Sequence, residues 1–143
     1  MNLKNTFKEF NTIYKLPINQ VPVLLEVERL KNFKSILLEE VFEVDNIIKM
    51  QEQAQNADQK FDVLTLIADW LGDIAWYVNS EAIKYGLDMN KILKILRKSN
   101  LSKLDSNNKP IYDTRGKVVK GSNYIAPESL IKKYITRQLN NSD

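Results

Sequence analysis

Val63-Leu64-Thr65-Leu66-Ile67-Ala68-Asp69-Trp70-Leu71-Gly72-Asp73-Ile74-Ala75-Trp76-Tyr77-Val78 is the stretch that decides the fold class. Val63, Ile67, Leu71, Ile74 and Val78 recur at helical spacing and make one face, while Leu66, Trp70, Trp76 and Tyr77 spread over the others. The pattern predicts a helix from about Gln59 to Tyr85, with a cap offered by Asn56–Asp58 and a stop at Gly86. A helix that is apolar nearly all round is buried on several sides. In a chain of 143 residues the expected second cover is a partner subunit, so a homo-oligomer, dimer or tetramer, is anticipated.

Working outward, a long helical pattern runs from about Val21 to Gln53. Its stripe of Leu30, Phe33, Leu37, Val41, Val44 and Ile48 falls within about 80° of arc, which predicts a single buried seam. Before it, Leu3 to Tyr14 has apolar residues at Leu3, Phe7, Phe10 and Ile13, and Leu16-Pro17-Ile18-Asn19 ends that helix. After Gly86, Asp88 is an N-cap for a helix from Met89 to about Asn100, with Ile92, Leu93, Ile95 and Leu96 inward. Asp105 to Gly121 reads as a small β-hairpin or ordered loop, and Pro127 opens a last helix to about Leu139. The expectation is one all-α domain over residues 1–143, a helical bundle with a short C-terminal hairpin or ordered loop. Only 4 glycines and 4 prolines interrupt it, three of the prolines (Pro17, Pro22, Pro127) at helix boundaries.

Composition narrows the chemistry. The chain has no Cys and no His, which removes disulfides, Cys/His zinc sites, thiol nucleophiles, Ser-His-Asp triads and Glu-x-x-His di-iron centres. Catalysis must run on carboxylates, amines, hydroxyls or a metal. The net charge of +3 does not argue for a nucleic acid polymer as partner. Acidic residues crowd the middle of the chain and the region from Lys91 onward is rich in Lys and Arg, a division that suits a metal at one end of a substrate and phosphates at the other. No apolar h-region opens the chain and no apolar run is long enough to span a bilayer, so a cytoplasmic protein is expected, and the missing disulfides agree with a reducing compartment.

Two acidic clusters then stand out: Glu39, Glu40 and Glu43, and Asp69 with Asp73. Carboxylates three or four residues apart on a helix project from one face, and oxygen-only ligand sets suit Mg²⁺ or Mn²⁺. Glu40 lies about 70° from the centre of the predicted seam, at the core boundary, where an unpaired carboxylate is costly. Asp69 and Asp73 sit in an apolar helix, and Asp is a poor helix-interior residue that needs a reason there. A cation shared by both clusters supplies one. Salt bridges to Lys84, Arg97 or Lys98 supply the alternative.

Leu38-Glu39-Glu40-Val41-Phe42-Glu43 followed by Asp69-Trp70-Leu71-Gly72-Asp73 resembles the EExxE…ExxD signature of the all-α nucleotide pyrophosphohydrolases, the MazG-like and phosphoribosyl-ATP pyrophosphatase-like superfamily. Ser99–Leu104, Lys109–Tyr112 and Gly116–Tyr124 look like the C-terminal region of the phosphoribosyl-ATP pyrophosphatase-like branch, as do Phe10-Asn11 and the Pro17 to Pro22 segment near the start. The resemblance covers most of the chain. It implies hydrolysis of a nucleotide between its α- and β-phosphates, with Mg²⁺ (or Mn²⁺) held by Glu40, Glu43, Asp69 and Asp73. Glu39, beside Glu40, would orient the attacking water or accept its proton. Arg97, Lys98, Asn100, Lys103 and Lys120 would receive the substrate. One departure is plain: Trp70 stands where the signature has Glu, and the carboxylate appears one residue earlier, at Asp69. That departure keeps open a second reading, a non-catalytic helical dimer that binds a nucleotide or a protein through the acidic groove.

Overall fold

Asparagines and prolines set the helix ends. In a computed structural model that describes residues 2–141, the Asn2 side chain caps α1 (Leu3–Ile13) by accepting from the Asn5 amide at 3.4 Å. The next helices are α2 (Val27–Gln53) and α3 (Ala57–Lys84). They meet at a tight turn closed by a capping box: Asn56 accepts from the Gln59 amide at 2.9 Å, and the Gln59 side chain reaches back to the Asn56 amide. The last helices are α4 (Met89–Leu101), capped by Asp88, and α5 (Pro127–Asn140), opened by Pro127 at its first turn. The chain is all-α. Among the described residues, extended pairing is confined to one antiparallel bridge between Tyr112 and Val118. The predicted hairpin is thus an ordered loop, held by the Asp113 carboxylate, which accepts from the Arg115 and Lys117 amides at 2.9 Å each.

α2 begins six residues later than the hydrophobic pattern predicts. Pro22 disfavours helical backbone at Val21, and residues 19–23 are used instead as a strap across the end of α3. The last carbonyls of a helix have no partner within it. Here the Asn19 amide donates to the Ile83 carbonyl (3.2 Å), the Asn19 side-chain amide to that of Lys84 (2.6 Å) and the Val23 amide to that of Tyr85 (3.1 Å). Gly86 makes the close crossing possible. Its φ is +70°, and a Cβ there would collide with the Val21 carbonyl.

The strap makes the C-terminal end of α3 the most enclosed part of the molecule: Ser80, Glu81, Ala82, Ile83 and Lys84 are all buried. Asn11 of α1, fully enclosed, donates to the carbonyls of Pro17 (3.2 Å) and Ser80 (3.1 Å) and accepts from the Ser80 hydroxyl (2.7 Å). Glu81 bridges Arg29 and Lys84, each at 2.8 Å, so Lys84 is committed to Glu81 and not to Asp69 or Asp73. Phe7 and Phe10 pack edge-on to Trp76 with ring centroids 4.7 and 5.2 Å apart, which makes Trp76 part of the α1–α3 contact.

The α2–α3 contact corrects the predicted seam. Leu30, Val41 and Ile48 are about half exposed (54%, 52% and 47%), while Phe33, Leu37, Glu40, Val44 and Ile47 turn inward. That inward set alternates spacings of four and three, a heptad seam, and Glu40 occupies one of its core positions. On α3 the inward set is Val63, Ile67, Trp70, Ile74 and Val78; Leu71, expected inside, is 53% exposed. Both long helices leave large apolar side chains uncovered on their other faces, Phe42 and Phe61 among them. No helix among the described residues is long and apolar enough to cross a membrane.

Candidate active site

Because the α2 seam passes through Glu40, a carboxylate stands where a heptad asks for an apolar residue. Glu40 is buried (6% exposed), and its Oε2 makes no hydrogen bond. Burial holds its carboxyl above the usual carboxylate range, and the charges of Glu43, Asp73, Glu39 and Asp69 push in the same direction. All five acidic residues singled out in the sequence therefore act on one point. Among the described residues no ion pair involves Asp69 or Asp73, so the salt-bridge account of these aspartates finds no partner.

Glu43, Asp69 and Asp73 line a cavity of about 390 Å³ together with Asn46, Ile47 and Trp70. The α2 residues enter from one wall and the α3 residues from the other, as expected where an i, i+3 carboxylate pair faces an i, i+4 pair across a helix–helix seam. Among the described residues no three acidic side chains stand close enough together to form a ready-made metal cage. They form an acidic cavity with dispersed oxygens. The donor chemistry nonetheless fits a hard cation: the side chains present carboxylate oxygen alone, they repel one another, and one oxygen is buried without a partner.

Trp70 has a definite task. It sits in the α3 seam opposite Glu40, and its indole Nε1 donates to the Glu40 carbonyl at 2.7 Å. The departure from the signature thus ties α3 to the backbone that carries the buried glutamate.

Tyr77 belongs to the same neighbourhood. Tyr77 is 38% exposed; its partial burial raises the phenol above the ordinary tyrosine value, and the charges of Glu40, Asp73, Glu43 and Glu39 raise it further. It remains a neutral hydrogen-bond donor beside the carboxylates. Sequence reading counted Tyr77 among the apolar residues spread over the other faces of this helix. The available signal was its spacing: Asp69, Asp73 and Tyr77 fall at i, i+4 and i+8 on one face of α3.

The basic residues gather elsewhere. Lys103 donates to the Asn100 side chain at 2.8 Å, and the Gly121 amide donates to the Lys103 carbonyl at 3.1 Å, which brings Lys120 alongside; the Lys120 ammonium rests 4.4 Å from the centre of the Tyr124 ring. Gly121 is required there, since a Cβ would stand 2.7 Å from the Leu104 carbonyl oxygen. Ser99 supports this corner by donating to the Ile125 carbonyl at 2.8 Å. Arg97 is exposed on α4, and Lys98 lines a different groove, between α4 and α5. Within one chain the extensive helix pairings are α2 with α3, α1 with α3, α4 with α5 and α1 with α4. The carboxylates therefore lie on the α2–α3 pair, and the predicted phosphate-binding residues on α4 (Arg97, Lys98, Asn100) and in the segment between α4 and α5 (Lys103, Lys120).

No protein-family model matches the chain, and no curated protein matches it. Among solved structures it is similar to the crystal structure of a "putative NTP pyrophosphohydrolase" from Exiguobacterium sp. 255-15. The TM-score is 0.51 and the identity 16%, over 100% of this chain and 99% of the other. The likeness extends end to end and shows a shared all-α fold.

Proposed function

We propose that this protein is a divalent-cation-dependent nucleotide pyrophosphohydrolase, which cleaves a nucleoside triphosphate or related nucleotide between its α- and β-phosphates to give a monophosphate and pyrophosphate. The observation that carries the proposal is the cavity lined by Glu43, Asp69 and Asp73, together with the buried Glu40, whose Oε2 has no hydrogen-bond partner among the described residues. An oxygen-rich cavity in an all-α fold, in a chain lacking His and Cys, suits metal-assisted phosphate chemistry.

Glu40, Glu43, Asp69 and Asp73 would hold Mg²⁺ or Mn²⁺, which when bound supplies charge neutralisation at the phosphates and a more acidic water. Glu39, which is exposed, would orient that water or take its proton. Tyr77 offers a neutral donor within the acidic field. Arg97, Asn100, Lys103 and Lys120 would supply phosphate and sugar contacts, whereas Lys98, expected with them, lines the separate α4–α5 groove. The uncovered apolar faces of α2 and α3 support a homo-oligomer, dimer or tetramer. Phosphoribosyl-ATP pyrophosphatase is a variant of the same reading.

One observation favours a second reading, a nucleotide- or protein-binding helical dimer without turnover: the carboxylates do not form a compact ligand set. Pyrophosphate release from a panel of nucleotides, with Mg²⁺ and again with EDTA, decides between them. Metal-dependent release supports the enzyme. Nucleotide binding with no release from any member of the panel supports the binding module.

A further inference from the structure

The groove between α4 and α5 plays no part in the acidic cavity, and its chemistry is the reverse. Lys91, Lys94 and Lys98 line one bank, Lys133 and Arg137 the other. Among the described residues no acidic side chain lines it and none of the five enters an ion pair. Solvated lysines are ordinary on a helix surface. Five cations facing one another across a shared groove are different, because each bank raises the electrostatic cost of the other.

The groove has a shape as well as a charge. Its volume is about 600 Å³, within the span of small-molecule sites, roughly 300–1,000 Å³. Ile95, Leu130 and Tyr134 give it an apolar floor. Tyr134 is held in place because its hydroxyl accepts from the Asp88 amide at 3.1 Å, which fixes α5 against the start of α4. Lys91, Lys94 and Lys98 follow one face of α4 at spacings of three and four, so their row is about 10 Å long. A row of that length faced by two further cations fits a chain of two or three phosphates. It exceeds what a single carboxylate or phosphate needs.

We propose that the α4–α5 groove is a second anion site, separate from the acidic cavity, that binds a short polyphosphate chain, either free as pyrophosphate or carried by a nucleoside di- or triphosphate. The banks hold the phosphates, and the apolar floor is available to the ribose or base of a nucleotide. The site does not depend on the proposed reaction, since it needs none of the carboxylates.

Calorimetric titration of the full chain in EDTA tests it. Without a divalent cation the acidic cavity repels anions, so anion binding reports on the groove. Inorganic pyrophosphate, tripolyphosphate and a nucleoside triphosphate should each bind at about one site per chain, more weakly as salt is added. Comparing the three tells whether the floor contributes. Lys133→Glu/Arg137→Glu, and independently Lys94→Ala/Lys133→Ala, should weaken binding at least about tenfold. These side chains are exposed, so thermal melting should show an intact fold. Asp73→Asn should leave this binding unchanged, whatever it does to turnover. Absence of binding in EDTA, or binding that survives both double variants, overturns the proposal. So does a single-stranded 12-mer that binds about tenfold or more tightly than the mononucleotide, since the surface would then be one for nucleic acid.

Discussion

Helices α2 and α3 carry eleven acidic side chains against six basic ones, whereas α4 and α5 carry seven basic against one acidic. The two pairs also hold their charge differently. On α2 and α3 the cavity carboxylates Glu43, Asp69 and Asp73 are exposed beside an apolar seam, and Glu40 is buried in that seam with an unpaired oxygen. On α4 and α5 the cations stay in water and face each other across an open groove. Charge held in a seam costs stability and is retained where a counter-ion is needed; charge held on the banks of a groove costs less and attracts from a distance. The two proposals rest on this contrast, metal-assisted chemistry for one pair and anion capture for the other.

The largest test of that division is loss of turnover on one side only. Glu43→Gln, Asp69→Asn and Asp73→Asn each remove a charge from the acidic cavity while preserving size. Each should lower pyrophosphate release by about a hundredfold, roughly 3 kcal/mol of barrier. Asp69→Asn should also raise the Mg²⁺ concentration needed for half-maximal rate. If Asp69→Asn is silent while Trp70→Glu raises the rate, the ligand assignment on α3 fails.

A stability effect of comparable size belongs to Gly86, which joins the acidic pair to the basic one. Gly86→Ala must place a Cβ against the Val21 carbonyl at a positive φ, and should cost about 3 kcal/mol or more in denaturant unfolding. A loss near the ordinary Gly-to-Ala difference would mean that the strap can move aside.

Trp70→Phe keeps a ring in the seam but deletes the 2.7 Å bond to the Glu40 carbonyl. It should cost about 1 kcal/mol of stability and reduce turnover less than any carboxylate change. Equal damage to turnover from Trp70→Phe and Asp73→Asn would show that the indole does more than hold α3 to α2.

The smallest expected effect has the opposite sign. The folded-state carboxyl of Glu40 is raised above its ordinary value of 4.5, so the metal-free folded protein binds more protons than the unfolded chain just above that pH. Glu40 therefore lowers stability as pH rises through this window and leaves a constant penalty above its folded pKa. Glu40→Gln should raise the melting temperature of the metal-free protein at neutral pH, by a few degrees at most, while abolishing turnover. A lower melting temperature would show that the carboxylate is stabilising, and the picture of a strained acidic seam would have to go.

Helix identity was legible because it depends on local spacing. The capping residues Asn56 and Asp88, the stop at Gly86 and the opening at Pro127 all stand at or beside the helix ends they were expected to mark. So did the set of carboxylates, since i, i+3 and i, i+4 neighbours share a helix face whatever the helix packs against. Absolute helix rotation was beyond sequence reading. The single seam predicted for α2 held Leu30, Val41 and Ile48 along one margin and Phe33, Leu37 and Val44 along the other; contact with α3 kept the second margin and extended it to Ile47, placing Glu40 inside and Leu30 outside. The same rotation put Trp70 rather than Leu71 into the α3 seam and brought Tyr77 into the acidic field. The strap over α3 was equally hidden, because its hydrogen bonds join residues more than sixty positions apart. Patterns that repeat every turn identify the helices and their chemistry; which face meets which neighbour is settled by long-range packing, and that is where the buried glutamate acquired its environment.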